Sequence, residues 1–213
     1  LPDSSFAPVV NVMIEVLLIL GAYLVGSIPT GVIVGRMRGF DPRAVGSGNI
    51  GATNVVRAGG MTAAAITFTG DVLKGAIPVL VARAAGFQPP AIAWVALAAF
   101  IGAICSVFLR FHGGKGIAAA LGIWLIISPT AILIALAVFA VVVAISRIVS
   151  LASIAAAIAL PPTVAAIGLP HHYLLLAILM TALALLRFRE NIQRLSRGEE
   201  PKFQPRRSSS ATS

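Results

Sequence analysis

Long apolar runs alternate with short polar stretches along the chain, and the alternation predicts a bundle of membrane helices. The runs cover residues 10–34, 61–82, 91–109, 117–127, 130–145, 151–167 and 173–186. A crossing helix needs about 20 apolar residues. The first run is mildly broken by Gly26-Ser27-Ile28-Pro29, and Pro161-Pro162 predict a kink in the sixth. The run over 117–127 is too short to cross and is closed by Ser128-Pro129. It predicts a partial or tilted helix packed among its neighbours. The fold class expected is an all-α integral membrane protein with seven transmembrane helices, some short or kinked.

Composition agrees. The 213 residues are 58% hydrophobic, against about 45–50% in soluble domains, and mean hydropathy is +0.98. Only 11% of residues are charged, yet the net charge is +9. The cations fall between and after the apolar runs and are not interleaved with aromatics, which excludes nucleic acid as a partner. By the positive-inside rule this spacing sets the N-terminus outside and the polar loops and C-terminus in the cytoplasm. The first run lacks the small-residue cleavage site of a signal peptide, so it counts as a span. Cys105 is the single cysteine, so no internal disulfide forms. Residues 1–197 read as one membrane-embedded domain and 198–213 as a basic, disordered cytoplasmic tail.

Candidate chemistry gathers in the polar stretches. Gly46-Ser47-Gly48-Asn49-Ile50-Gly51-Ala52-Thr53-Asn54-Val55-Val56-Arg57 is rich in neutral donors and holds no carboxylate. Glycines let successive N–H groups turn toward one point, and Arg57 adds a cation, so the stretch suits an anion such as phosphate. A second glycine-rich stretch, Gly113-Gly114-Lys115-Gly116, precedes the short helix, whose N-terminal partial charge also favours an anion. It lacks the spacing of a Walker A loop. A third, Arg187 to Leu195, carries Arg187, Arg194 and Asn191. On the inferred topology all three share the cytoplasmic face. Asp71 and Lys74 lie one turn apart within a span, where they pair or line a site. His171 and His172 sit at an outer turn with no acid or cysteine beside them, and no metal-ligand spacing or Ser/His/Asp set occurs. The residues therefore point to a protein that handles phosphorylated, lipid-linked substrates at the membrane surface by positioning and charge stabilisation.

These three stretches resemble the motifs of the bacterial membrane glycerol-3-phosphate acyltransferases that use acyl phosphate as donor, the PlsY family. Gly46 to Asn54 with Arg57 is similar to the first motif and Gly113 to Gly116 to the second. The pattern Arg187-x-Arg189-Glu190-Asn191-Ile192-x-Arg194-Leu195-x-x-Gly198-x-Glu200 is similar to the third, and Ser150-Leu151-Ala152-Ser153 to a shorter family segment. The resemblance implies seven helices and an active site facing the cytoplasm of a bacterial inner membrane. It implies transfer of a fatty acyl group from long-chain acyl phosphate to the 1-hydroxyl of glycerol 3-phosphate. The products are lysophosphatidate and phosphate, with no metal or other cofactor. It also implies Ser47, Lys115 and Asn191 as catalytic residues. Gly46, Gly48, Asn49, Thr53, Asn54, Arg57, Gly113, Gly114, Gly116, Ser150, Arg187 and Arg194 are implied to bind substrate.

The chain departs from the family pattern at four points. Phe188 stands where the third motif has a functional histidine, Ala103 and Ser106 replace a histidine and a proline before the second motif, and Ala119 replaces a threonine after it. His112, beside Lys115, is expected to substitute in part for the missing imidazole. Two other readings stay open at this point: a transporter of a phosphorylated solute, suited by Asp71, Lys74 and the broken helix, and a non-catalytic relative that binds lipid phosphate.

Overall fold

Every apolar run is helical, the first of them as two helices parted before Pro29. A computed structural model of the chain describes residues 7–202, with side chains from residue 11. Helix α1 (Ala7–Gly26) stops before Pro29, and α2 (Thr30–Met37) resumes at an angle of 42°. Helix α3 (Ala52–Ala84) begins at Ala52, not at Met61, so the second half of the first glycine-rich stretch is helical. It bends at Gly60 (φ 79°), a conformation that costs glycine least.

Helix α4 (Pro89–Ile104) ends earlier than its apolar run, which continues as a 3-10 turn over Val107–Leu109. Two polar anchors hold the chain out of the helix there. The Ser106 hydroxyl donates to the Ser27 carbonyl at 2.5 Å, and the Tyr23 hydroxyl donates to the Cys105 carbonyl at 2.9 Å. The short helix α5 (Ile117–Ile127) has the expected limits. Ser128 caps α6 (Pro129–Ser146), its hydroxyl accepting from the Ala131 N–H at 3.3 Å.

Helix α7 (Val149–Ile167) carries Pro161 and Pro162 in its interior. Pro161 has no N–H to give the Ala157 carbonyl, and Thr181 of α8 (His171–Arg187) donates its hydroxyl to that oxygen at 2.8 Å. In lipid such a freed carbonyl needs a protein donor. Helix α9 (Arg189–Ser196) leaves α8 at 62°, with Phe188 at the corner.

Among the described residues, α3, α4 with its 3-10 turn, α6 and α7 are each long and apolar enough to cross a membrane. The bent pairs α1–α2 and α8–α9 raise the number of candidate spans to six. The 11 residues of α5 rise only about 16 Å, about half a bilayer core. Small residues let α5 lie directly on α3: a Cβ at Gly122 would meet the Val72 carbonyl oxygen at 2.0 Å, and one at Gly75 the Ala119 carbonyl oxygen at 2.2 Å. Trp124, Ile123 and Phe100 fill the centre, while Leu17, Ile77, Leu133 and Ile145 face outward as a lipid-side apolar surface. The expected basic tail is described only as far as Lys202, and its remainder lies outside the described residues.

Candidate active site

One cavity of about 730 Å³ opens among the polar helix ends. The first turns of α3, α5 and α7 all contribute to its wall, through Ala52 and Thr53, Ile117 and Ala118, and Val149 and Ser150. Three helix N-termini at one cavity give a site with a positive dipole bias before any side chain is counted.

Twelve of the expected site residues line it: Gly46, Ser47, Asn49, Thr53, Asn54, Arg57, Gly114, Lys115, Gly116, Ser150, Asn191 and Arg194. Gly48, Gly113 and Arg187 do not. Arg187 instead clamps the second glycine-rich loop, donating through Nη2 to the Gly113 carbonyl at 2.7 Å and through Nε to the Gly114 carbonyl at 3.2 Å. The same loop is sewn to the end of α4 by the Gly114 N–H on the Ala103 carbonyl (3.0 Å) and the Gly113 N–H on the Ile104 carbonyl (3.2 Å). Lys115 thus projects from a loop held on two sides.

Asn54 plays the matching part in the first loop. It is 2% exposed. Its Nδ2 donates to the carbonyls of Pro42, Asn49 and Val45 at 2.7, 2.8 and 2.9 Å, and its Oδ1 accepts from the Ser47 N–H at 3.1 Å. Both amide hydrogens and one lone pair of the oxygen are spent on the loop, so the side chain shapes it. Gly46 (φ 60°) has to stay small beside it, because a Cβ there would meet Asn54 Oδ1 at 2.5 Å. Asn54→Leu, similar in size, should leave the Pro42, Val45 and Asn49 carbonyls, the first of them buried, without their donor. The expected result is a loss of at least about tenfold in kcat/KM with faster proteolysis within residues 42–49, measured by steady-state kinetics and timed digestion.

Ser47, Thr53 and Arg57 behave differently. All three are exposed to the cavity side, and among the described residues their side chains have no hydrogen-bond partner in the protein. They are the groups free to meet a guest.

The far wall is a network around Glu200. Its Oε1 accepts from Ser150 Oγ at 2.7 Å and Asn191 Nδ2 at 2.5 Å, and its Oε2 accepts from Arg194 Nε at 2.7 Å. Burial works to raise this carboxyl, but the bonds from Ser150, Arg194 and Asn191 outweigh it and hold it below the usual range. Asn191 Oδ1 then accepts from Lys115 Nζ at 2.6 Å. The amide orientation follows from its neighbours, an ammonium on one side and a carboxylate on the other. Burial pushes the Lys115 ammonium down to about 8, against the pull of Glu200. Glu200 belongs to the third motif yet lies in the segment expected to be a disordered tail; it folds back into the site. Its signal was its place in the Gly198-x-Glu200 pattern.

His112 does not take up the role expected of it. It is exposed, does not line the cavity, and its Nδ1 sits 2.8 Å from the Arg110 carbonyl. Phe188 lies under Lys115, with Nζ 4.7 Å from the ring centroid. Asp71 and Lys74, left open by the sequence, both line the cavity and pair at 2.7 Å.

The charge balance follows. Lys74 is matched by Asp71 and Arg194 by Glu200. Arg57, Lys115 and the exposed Lys202 remain unneutralised in the wall among the described residues. The cavity therefore has an excess of positive charge suited to an anion, with an apolar flank of Phe68, Phe139 and Ile117.

Comparison with known proteins agrees with this chemistry. The family model for glycerol-3-phosphate acyltransferase matches residues 16–198. A glycerol-3-phosphate acyltransferase of Trichlorobacter lovleyi is 48% identical over 185 residues, 87% of this chain and 95% of that protein. One of Geobacter sulfurreducens is 49% identical over 189 residues, 89% of this chain and 97% of that protein. The fold is similar to the crystal structure of PlsY (YgiH), an integral membrane glycerol 3-phosphate acyltransferase, in its glycerol 3-phosphate form. The TM-score is 0.86 at 41% identity, covering 89% of this chain and 96% of that one. The lysophosphatidic acid form of the same protein gives a TM-score of 0.84 at 40% identity, covering 89% and 95%. The match of motifs, fold and near-complete length means that this chain belongs to the PlsY-type glycerol-3-phosphate acyltransferase family.

Proposed function

We propose that this chain transfers a fatty acyl group from acyl phosphate to the 1-hydroxyl of glycerol 3-phosphate. The hydroxyl oxygen bonds to the acyl carbon, the bond from that carbon to the phosphate oxygen breaks, and the hydroxyl proton ends on the released phosphate. Lysophosphatidate and inorganic phosphate are the products. The observation that carries the reading is the convergence of Arg57, in the second turn of α3 beside the loop that Asn54 braces, and Lys115, on the loop that Arg187 clamps, at one cavity with three helix N-termini. Two cations suit two phosphoryl groups held side by side, and the apolar flank suits an acyl chain. Ser47, Thr53 and Asn49 supply neutral donors for substrate oxygens. Asn191 directs Lys115, while Ser150 and Arg194 hold the carboxylate that directs Asn191.

The site faces the cytoplasm on this reading. Arg36, Arg38, Arg43, Arg57, Arg110, Lys115, Arg147 and the Arg187–Arg197 segment occupy the loops and helix ends at the cavity end, whereas Arg83 lies at the opposite end of α3.

The test is to incubate purified protein with acyl phosphate and glycerol 3-phosphate and to measure both products. Phosphate and lysophosphatidate should appear in equal amounts. Phosphate release without the lipid would reduce the activity to hydrolysis, and uptake of glycerol 3-phosphate into proteoliposomes without either product would replace the reading by transport.

A further inference from the structure

Phe188 is 2% exposed and sits at the corner between α8 and α9. One turn on, Asn191 is 4% exposed. The corner and the helix therefore offer an aromatic face and an amide oxygen to the same ammonium, at 4.7 Å and 2.6 Å respectively. Attraction between a cation and a ring face acts within about 6 Å and strengthens as water is removed.

Lys115 needs such a seat. It is half-buried, and no carboxylate bonds to it among the described residues. The oxygens of Glu200 are taken by Ser150, Asn191 and Arg194. Of the charged groups around it, Glu200 and Glu190 favour its charge, while Arg194 and Arg57 oppose it. A ring face also consumes no directed N–H. An ammonium has three donors, and with one on Asn191 two stay available for phosphate oxygens.

We infer that Phe188 is a positioning residue for acyl transfer: its ring face keeps the Lys115 ammonium charged and, with Asn191, aimed into the cavity. The inference rests on the acyltransferase reading of the site. It assigns a role to a residue whose side chain has no hydrogen bond to offer, at the position where the motif's imidazole would stand.

The experiment compares the full-length protein with Phe188→Leu and Phe188→Tyr, using two readouts. The first is kcat and KM for glycerol 3-phosphate across pH. The second is the rate at which an amine-reactive ester modifies Lys115 across pH, read by peptide mass spectrometry, which needs no turnover. Phe188→Leu should lower kcat/KM about 5- to 20-fold. It should also move both the alkaline limb of the rate profile and the Lys115 titration to lower pH, by roughly half a unit or more. Phe188→Tyr keeps the ring and should stay within about twofold on both. If Phe188→Leu does not fold, Phe188→Met removes the ring while filling the space, and the same shift is expected.

A space-filling role would lower thermal stability in the ringless variants and leave the Lys115 titration where it was; that result overturns the inference. So does a Tyr variant shifted as far as the ringless ones. If the wild-type protein makes no lysophosphatidate while the titration still follows residue 188, the acyltransferase reading falls and the seat for Lys115 stands. If the product forms and the titration ignores residue 188, the reverse holds.

Discussion

Lys115→Met is expected to lower kcat/KM by about 100- to 1,000-fold, the range for removing one preorganised charge donor from a water-poor site. The prediction is specific because of what surrounds the side chain. The loop is held by Arg187 and by the end of α4, so neither substrate nor solvent can easily replace the missing cation. In the wild-type protein the rate should fall as pH rises through about 8, where burial has brought the Lys115 ammonium to lose its proton. The variant should lack that limb. Stability should move the other way. A lysine whose folded value lies below its ordinary 10.5 binds fewer protons folded than unfolded between about 8 and 10.5, so stability rises with pH across that window. Lys115→Met removes a half-buried charge, and it should melt no lower than the parent at neutral pH while making almost no product. Paired melting curves and phosphate release would show both effects. A variant that is inactive because it is unfolded would fail the first.

Much of this architecture is legible in the sequence, and the parts that are not share a cause. Apolar length places the helices, because lipid enforces backbone pairing and the exceptions are marked by proline or glycine. The limits of α5 are read correctly for that reason. Density of glycine and neutral donors marks the two loops. What the sequence does not show is which polar side chains are already engaged. Asn54 and Arg187 look like substrate ligands because an amide and a guanidinium suit phosphate. Their partners are backbone carbonyls that come close only once the loops are folded. Glu200 is hidden by the opposite error. Its segment is polar and lies after the last span, but three donors on α7 and α9 draw it into the wall. The start of α3 at Ala52 escapes apolar patterning since its first two turns carry Thr53, Asn54 and Arg57, and the bend at Gly60 separates them from the apolar part. His112 is misplaced because nearness in sequence to Lys115 does not give a shared face: the loop turns the imidazole outward to the Arg110 carbonyl.

Lys74→Met is expected to destabilise the fold by about 3–5 kcal/mol, the cost of leaving one member of a buried pair without its partner. Both residues lie on α3 within the span, with side chains only 7% and 16% exposed. Lys74 Nζ bonds to Asp71 Oδ1 at 2.7 Å and also donates to the Ile28 carbonyl at 3.0 Å, while Thr30 Oγ1 donates to the same Asp71 oxygen. Ile28 and Thr30 flank Pro29 at the break between α1 and α2, so the pair also ties that break to α3. Without Lys74 the carboxylate keeps Thr30 alone, in a medium where an uncompensated charge is costly. The double variant Lys74→Met with Asp71→Asn removes both charges at similar volume and should regain most of the loss, since a buried pair exchanged whole is often near neutral. Cys105, the single cysteine and half-buried, reports unfolding through its reaction with a thiol dye. If the double variant melts as low as Lys74→Met, charge pairing does not account for the loss, and the bond from Lys74 to the Ile28 carbonyl does. If the double variant folds well yet loses activity, the pair acts on the cavity it lines as well as on the fold.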